Sequence, residues 1–138
     1  MDLELNGKTA IVTGGSRGIG KAVARELARE GVDVAIVARG REALEDTAKE
    51  LAGETGRRFV PIVADTGNEE SVQTMVHQAV TALGHLDILV NGAARPGGGP
   101  APSLSEITEE AFWEEMNTKV MGYLRCARAV APYMIAQN

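Results

Sequence analysis

The chain has 138 residues, of which 44% are apolar and 24% charged, and a net charge of −5. This length suffices for one domain with a substantial core, and the composition is that of an ordinary globular protein. The acidic balance argues against nucleic-acid binding, which needs a basic face to neutralise phosphates. No apolar run approaches the ~20 residues that span a bilayer. We therefore expect neither a nucleic-acid nor a membrane partner.

The N-terminus and the single cysteine bear on the compartment. Residues 1–6 have neither a basic region nor an apolar stretch, so no secretory signal is expected. The lone cysteine, Cys126, cannot form an internal disulfide and is expected to fill space in the core. His77 and His85 have no further ligands at metal-binding spacing, so no metal site is expected. These features predict a cytoplasmic location.

Short β-branched runs alternate with longer segments of helical period, which predicts strands separated by helices. The four predicted strands are Lys8–Thr13, Val34–Val37, Phe59–Val63 and Leu86–Val90. The apolar stripes of the first two intervening helices are Ile19, Val23 and Leu27, then Leu44, Ala48 and Leu51. Asn68 is predicted to cap the third helix, which has the clearest amphipathic pattern.

The last third of the chain is predicted to be helical after a break. The segment Ala94–Pro102 is rich in Gly and Pro and continues neither a strand nor a helix. Thr108 is then expected to open a short helix that runs through Trp113. A long helix follows, through Val120, Leu124, Ala127 and Ala131. Pro132 is expected to kink it, because proline lacks the backbone N–H.

This element order predicts an α/β fold with a Rossmann-type doubly wound parallel sheet. We expect one domain over residues 1–138, incomplete in that the framework stops after the fourth strand and a long helix. In the strand order 3-2-1-4 the third strand lies at an edge. Pro61 in that strand agrees, because proline is tolerated at sheet edges far better than centrally.

A glycine-rich turn joins the first predicted strand to the first helix, over residues 13–20. Glycines allow a sharp turn and a close approach of the backbone to a pyrophosphate, which the helix N-terminus attracts. Its position between a strand and a helix makes a dinucleotide site the preferred interpretation over a mere tight turn. The residues predicted to bind the cofactor here are Gly14, Ser16, Arg17, Gly18, Ile19 and Gly20.

A nucleoside-triphosphate loop is a competing interpretation of the same residues. From Gly15 the sequence reads G-x-x-x-x-G-K and then Ala22. Such a loop needs Ser or Thr after the lysine to bind Mg²⁺. Alanine cannot do this, so we do not favour an NTPase.

The spacing T-G-x-x-x-G-x-G from Thr13 to Gly20 resembles the short-chain dehydrogenase/reductase family, and the resemblance covers essentially the whole chain. It implies that Asp65, after the third strand, contacts the adenine. It also implies a cofactor-side segment at Asn91 and Ala93, where the family has N-N-A-G; Gly92 and Ala94 depart from that pattern. Finally, it aligns Asn117 with the family's catalytic asparagine.

Each of these three polar residues also has an ordinary structural interpretation. Asp65 is a good turn former, and Asn91 could satisfy backbone groups at a strand end. Asn117 could be a polar residue inside a helix that pairs with backbone. The resemblance places the family's serine and Tyr-x-x-x-Lys pair beyond the matched segment. Neither Tyr123 nor Tyr133 has a lysine four residues later, so we expect these 138 residues alone to be inactive.

The second strand decides the cofactor prediction. NAD-binding domains usually place an acidic residue at its end to bond the ribose 2′-OH. Here Arg39 follows the strand, while Asp33 lies at its start. Arg39 and Arg17 could bind a 2′-phosphate, and the alternative is that both are solvated surface residues. We predict NADP rather than NAD.

The resemblance implies an oxidoreductase that passes hydride between this cofactor and a small-molecule carbonyl or alcohol substrate. A non-catalytic dinucleotide-binding module or sensor, and an interaction domain that has lost its ligand, are the alternatives. The fourth strand would have an open edge, which invites pairing with another chain. We therefore predict a homo-oligomer, unless the terminal helix covers that edge.

Overall fold

The computed structural model describes residues 2–94 and 100–137. Strands and helices alternate as predicted, with bounds that differ by a few residues. The elements are β1 (Thr9–Thr13), α1 (Gly18–Arg29), β2 (Asp33–Ala38), α2 (Arg41–Thr55), β3 (Phe59–Val63), α3 (Glu69–Leu83), β4 (Ile88–Val90), α4 (Glu109–Glu115) and α5 (Gly122–Ala136). A 3-10 turn (Leu104–Glu106) precedes α4, and a π-helical turn (Met116–Met121) joins α4 to α5. Part of the predicted Gly/Pro loop, residues 95–99, lies outside the described residues.

The four strands form one parallel sheet in the order β3-β2-β1-β4, which confirms the predicted topology. Pro61 lies in the edge strand β3, opposite Ile36 of β2. On the outer side of β3 its missing N–H breaks no strand pairing, since no described strand pairs there.

Because all four strands are parallel, their carboxyl ends meet at one edge of the sheet. In open α/β sheets this is where ligands bind.

Alternating strand residues supply two apolar cores, one on each face of the sheet. Ala10 and Val12 of β1 pack with α1 and α2, while Ile11 faces α3 and α5. The predicted inward stripe of α2 is confirmed, since Leu44 and Leu51 are fully buried. Cys126 is also fully buried, as expected of a core residue.

The predicted inward face of α1 is wrong by one position. The helix buries Gly20, Ala24 and Ala28 against the sheet, whereas Ile19 is 85% exposed. Small residues at this stripe allow the helix backbone to lie close to the strands near the glycine turn. The apolar stripe predicted from Ile19 and Leu27 lies beside this contact face.

The C-terminal helices differ in detail from their prediction. The long helix begins at Gly122 and continues through Pro132, and Val120 falls in the preceding π-helical turn. The buried face of α5 is formed by Gly122, Cys126, Ala129 and Val130. Leu124, by contrast, is half exposed. None of the helices in residues 2–94 and 100–137 is long and apolar enough to cross a membrane.

Strand β4 is two residues shorter than predicted, and side-chain bonds supplement the backbone pairing just before it. The Asp87 N–H donates to the Thr9 carbonyl at 3.1 Å. The Thr9 N–H donates to the Asp87 carboxylate at 2.9 Å, and the Thr9 hydroxyl donates to the His85 carbonyl at 2.6 Å. The register with β1 starts at Ile88.

Candidate functional site

A cleft of about 700 Å³ lies at the carboxyl ends of the strands. This volume is in the range of small-molecule and cofactor sites. Nine of the predicted site residues line it: Gly14, Ser16, Arg17, Gly18, Ile19, Gly20, Arg39, Asp65 and Ala93. The topology thus brings together residues from the turns after β1, β2, β3 and β4.

The turn after β1 requires glycine at position 14. Gly14 has φ +68°, a left-handed conformation that L side chains rarely adopt. A Cβ there would also collide with the Gly92 carbonyl and lie 2.9 Å from the Ala93 nitrogen. The turns after β1 and β4 can therefore touch only because this residue has no side chain.

Thr13 holds these two turns together, a role that the sequence analysis missed. Its buried hydroxyl accepts hydrogen bonds from the Gly92 N–H at 3.1 Å and the Ala93 N–H at 3.2 Å. It also lies 3.4 Å from the Val90 carbonyl, to which it donates. A threonine directly before the first glycine was the available signal, because a strand-end hydroxyl can bond neighbouring backbone.

The N-terminus of α1 is left open toward the cleft. Its N-cap residue, Arg17, makes no side-chain cap, and its first turn contains no acidic residue. In contrast, α3 is capped by Asn68 and α4 by Thr108, and both have two glutamates in the first turn. The unpaired N–H groups and partial positive charge of α1 therefore face the cleft unneutralised. This end of the helix fits an anionic group of a ligand.

The end of β2 carries positive and no negative charge. Arg39 and Arg17 are exposed and line the cleft, and within the described part of the chain neither forms an ion pair. Asp33 lies at the opposite end of the strand, where its carboxylate pairs with Arg57 at 2.9 Å. The acidic residue of β2 is therefore paired at the end of the strand remote from the cleft, as its position in the sequence predicted.

Asp65 begins a tight loop between β3 and α3. Its carboxylate accepts the Gly67 N–H at 2.9 Å, and its own N–H donates to the Ser71 hydroxyl at 2.9 Å. The ordinary turn-forming role is therefore real. The residue also lines the cleft, so the two interpretations are compatible.

Asn91 is turned away from the cleft. Its amide nitrogen donates to the Tyr123 carbonyl of α5 at 3.4 Å, and its Oδ1 is buried with no partner among the described residues. Gly92, Ala93 and Ala94 line the cleft instead. A cofactor-binding role for Asn91 stays a prediction.

Asn117 lies in the π-helical turn beside a second cavity of about 230 Å³, which it shares with Arg39 and Asp65. Its Nδ2 donates to the Gly67 carbonyl at 3.3 Å, and its Oδ1 accepts from Arg125 at 2.6 Å. Both amide atoms are thus engaged with protein groups. The catalytic role implied by the resemblance stays a prediction.

Two other possibilities are a reactive cysteine and a metal site. Burial raises the pKa of the Cys126 thiol to about 11, so the thiol is neutral and a poor nucleophile at neutral pH. Across residues 2–94 and 100–137, no group of His, Cys, Asp and Glu side chains could hold a metal ion. The features of the cleft that stand out are positive: Arg17, Arg39 and the open N-terminus of α1 suit an anionic ligand.

Comparison with known proteins agrees with this geometry. The family model described as short chain dehydrogenase matches residues 8–138. The chain belongs to the short-chain dehydrogenase family. It is 39% identical over 140 aligned residues to a short chain dehydrogenase of Pseudocercospora fijiensis, covering 98% of this chain and 43% of that relative.

Two solved members of the family are structurally similar to the chain. L-Sorbose reductase from Gluconobacter frateurii, complexed with NADPH and L-sorbose, has a TM-score of 0.89 at 34% identity, covering 99% of this chain and 51% of that one. NAD⁺-bound xylitol dehydrogenase has a TM-score of 0.88 at 34% identity, covering 97% and 50%. The chain spans about half the length of these short-chain dehydrogenases.

Proposed function

We propose that the chain is the cofactor-binding half of an NADP(H)-preferring short-chain dehydrogenase. The observation that carries the proposal is a cleft lined by the open N-terminus of α1, by its N-cap residue Arg17 and by Arg39 after β2. Neither arginine forms an ion pair within the described residues. A nicotinamide dinucleotide has an anionic pyrophosphate that suits the first feature. The second suits a ribose 2′-phosphate, which carries further negative charge.

The residues present fit such a cofactor. The N–H groups of Gly18 and Ile19 would hold the pyrophosphate, because they lie in the first turn of α1 and line the cleft. Asp65 would contact the adenine side. The bound cofactor supplies hydride chemistry, while this chain supplies binding and orientation.

The preference for NADP(H) rests on the end of β2. The similar proteins include one complexed with NADPH and one bound to NAD⁺, so membership of the family leaves both open. Arg39 and Arg17 favour the phosphorylated form, and the acidic residue of β2 itself, Asp33, pairs with Arg57 at the opposite end of the strand. One charge-assisted bond contributes about 1.5–3 kcal/mol, or roughly ten- to a hundredfold in affinity.

Calorimetric titration of NADPH and NADH into the protein tests this preference. We expect NADPH to bind more tightly, and Arg39→Gln to reduce the ratio of the two affinities by about tenfold. Arg41→Gln is the matched control, because Arg41 lies two residues on, pairs with Glu45 and does not line the cleft. Tighter binding of NADH to the unmodified protein would contradict the proposal.

In the whole protein we propose hydride transfer between the cofactor and a small-molecule carbonyl or alcohol. A non-catalytic dinucleotide-binding module is the second candidate, because the features of the cleft account for binding of the dinucleotide and not for its turnover. Cofactor binding without turnover by the full-length protein, over a panel of ketones and alcohols, would favour the second candidate.

A further inference from the structure

A largely buried arginine on α5, Arg125, contacts the loop between β3 and α3, which lines one side of the cleft. The Arg125 side chain is 15% exposed, and one of its terminal nitrogens donates to the Thr66 carbonyl at 3.1 Å and the Asn117 carbonyl at 3.2 Å. The other terminal nitrogen donates to the Asn117 side-chain oxygen at 2.6 Å. One guanidinium thus joins the β3–α3 loop to the π-helical turn before α5.

Asn117 completes the connection from the other side. Its amide nitrogen donates to the Gly67 carbonyl at 3.3 Å, so loop and turn are joined by two routes. The approach is close enough that a Cβ on Gly67 would lie 3.0 Å from that nitrogen. The absence of a side chain at position 67 is therefore part of this contact.

The loop that Arg125 contacts, between β3 and α3, forms part of the wall of the cleft. Ala64, Asp65 and Thr66 all line the cleft, while the Thr66 carbonyl is the atom that Arg125 bonds. Arg125 itself does not line it. Any effect of this arginine on a ligand must therefore pass through the loop.

We propose that Arg125, through Asn117 and the loop 65–67, is a positioning residue that preorganises the adenine side of the cofactor site. The inference rests on the proposed function, since it takes the cleft ligand to be a nicotinamide dinucleotide. Holding the loop in its bound conformation lowers the ordering cost of binding, which raises affinity without a direct contact.

The geometry of the guanidinium, and not only its charge, is required. Arg125 donates to three oxygen atoms that belong to two segments, an arrangement that a planar fork of donors can satisfy. A lysine ammonium at the same place keeps the charge but is a single point donor on a flexible stem. Replacement by lysine should therefore not restore the loop.

Arg128 provides a matched control one turn further along the helix. It is 56% exposed and pairs with Glu69 at 2.7 Å, the carboxylate that Arg125 also approaches, at 3.8 Å. Unlike Arg125, it forms no hydrogen bond to Thr66 or Asn117 within the described residues. Arg128→Gln removes the same charge from the same helix as Arg125→Gln. The two variants differ in their contact with the loop.

The test measures dissociation constants for NADPH and for 2′,5′-ADP, an adenylate fragment without nicotinamide. We expect Arg125→Gln and Arg125→Lys each to weaken both ligands by the same factor, about three- to tenfold. Arg128→Gln should leave both constants unchanged. Hydrogen exchange without ligand should become faster at the amides of residues 65–68 in the Arg125 variants, and stay unchanged in β1.

Several outcomes overturn the inference. Unchanged 2′,5′-ADP affinity in Arg125→Gln would show that the loop needs no such support, and full recovery in Arg125→Lys would show that charge alone matters. If Arg125→Gln does not fold, Asn117→Ser keeps the arginine, removes the Gly67 bond, and must still weaken 2′,5′-ADP. If the unmodified protein binds neither ligand, the proposed function itself fails.

Discussion

The strands β1 to β3 and the strand β4 share one sheet but differ in their surroundings. All five residues of β1 are buried, whereas each residue of β4 is only partly buried. The helices beside β4 also expose large apolar side chains, with Trp113 64% and Ile135 73% exposed. Within the described residues, eight of the eleven exposed large apolar side chains lie after β4, whereas β1 and β2 are almost wholly buried.

This difference bears on where the cleft lies. Most of the cleft is built by the turns after β1, β2 and β3, and β4 adds the turn that begins at Gly92. The cleft thus lies mainly beside the better-buried strands. The β4–α5 region has apolar surface left over for contacts beyond those in the described structure.

The largest expected effect separates binding from chemistry. A protein of these 138 residues should bind the cofactor yet show no hydride transfer on common carbonyl substrates. Loss of a general acid/base group alone typically lowers rates by about 10²–10⁴-fold. The measurement is NADPH absorbance with a panel of ketones, in protein of verified mass. Steady, ketone-dependent oxidation would contradict the prediction.

Truncation of a core leucine should destabilise the protein far more than truncation of a surface leucine. Leu51→Ala, in the fully buried α2 core, should lower the free energy of unfolding by about 2–5 kcal/mol. Leu124→Ala, half exposed on α5, should change it by no more than about 0.5 kcal/mol. Urea denaturation of both variants gives the comparison. Similar losses in the two would mean that α5 is as well packed as α2.

The exposed apolar face of α4 and α5 sustains the prediction of a homo-oligomer. Helix α5 packs with α3 on a face of the sheet, and no described strand pairs with the outer edge of β4. Light scattering over a tenfold dilution series should give a mass above that of the 14.6 kDa monomer. Leu124→Glu should shift the mass toward the monomer. A monomeric mass for the unmodified protein at every concentration would count against association.

A further expected effect concerns Gln137, the residue after α5, whose side chain bonds the backbone just before β4. Gln137 accepts the Leu86 N–H at 2.8 Å and donates to the Leu86 carbonyl at 2.9 Å, much as a neighbouring strand would. Gln137→Ala should destabilise the protein by about 1–3 kcal/mol, because Leu86 is fully buried. Gln78→Ala, an exposed glutamine on α3, is the control in thermal melts. Equal melting temperatures would show that water replaces the amide.

The sequence predicted the sheet well because strand order follows from local patterns. Buried parallel strands appear as short β-branched runs, and Pro61 marked the edge. The glycine turn was equally readable, since its spacing is dictated by backbone geometry around Gly14. These features depend on neighbours along the chain.

What the sequence did not reveal depends on contacts between distant segments. The Thr13 bonds to Gly92 and Ala93 join residues about 80 positions apart, and the Arg125 clamp on Thr66 spans 59. The contact face of α1 was misassigned because close packing selected Gly20 and Ala24 over the larger Ile19. Hydrophobicity alone cannot predict a face chosen for its small size.

The proposed function requires the open N-terminus of α1 to bind the pyrophosphate of a dinucleotide. A crystal structure of the protein with NADPH would locate that group. We expect the pyrophosphate to lie against the N–H groups of Gly18 and Ile19, with the 2′-phosphate beside Arg39. NADPH bound elsewhere, or a cleft that stays empty at saturating NADPH, would contradict it.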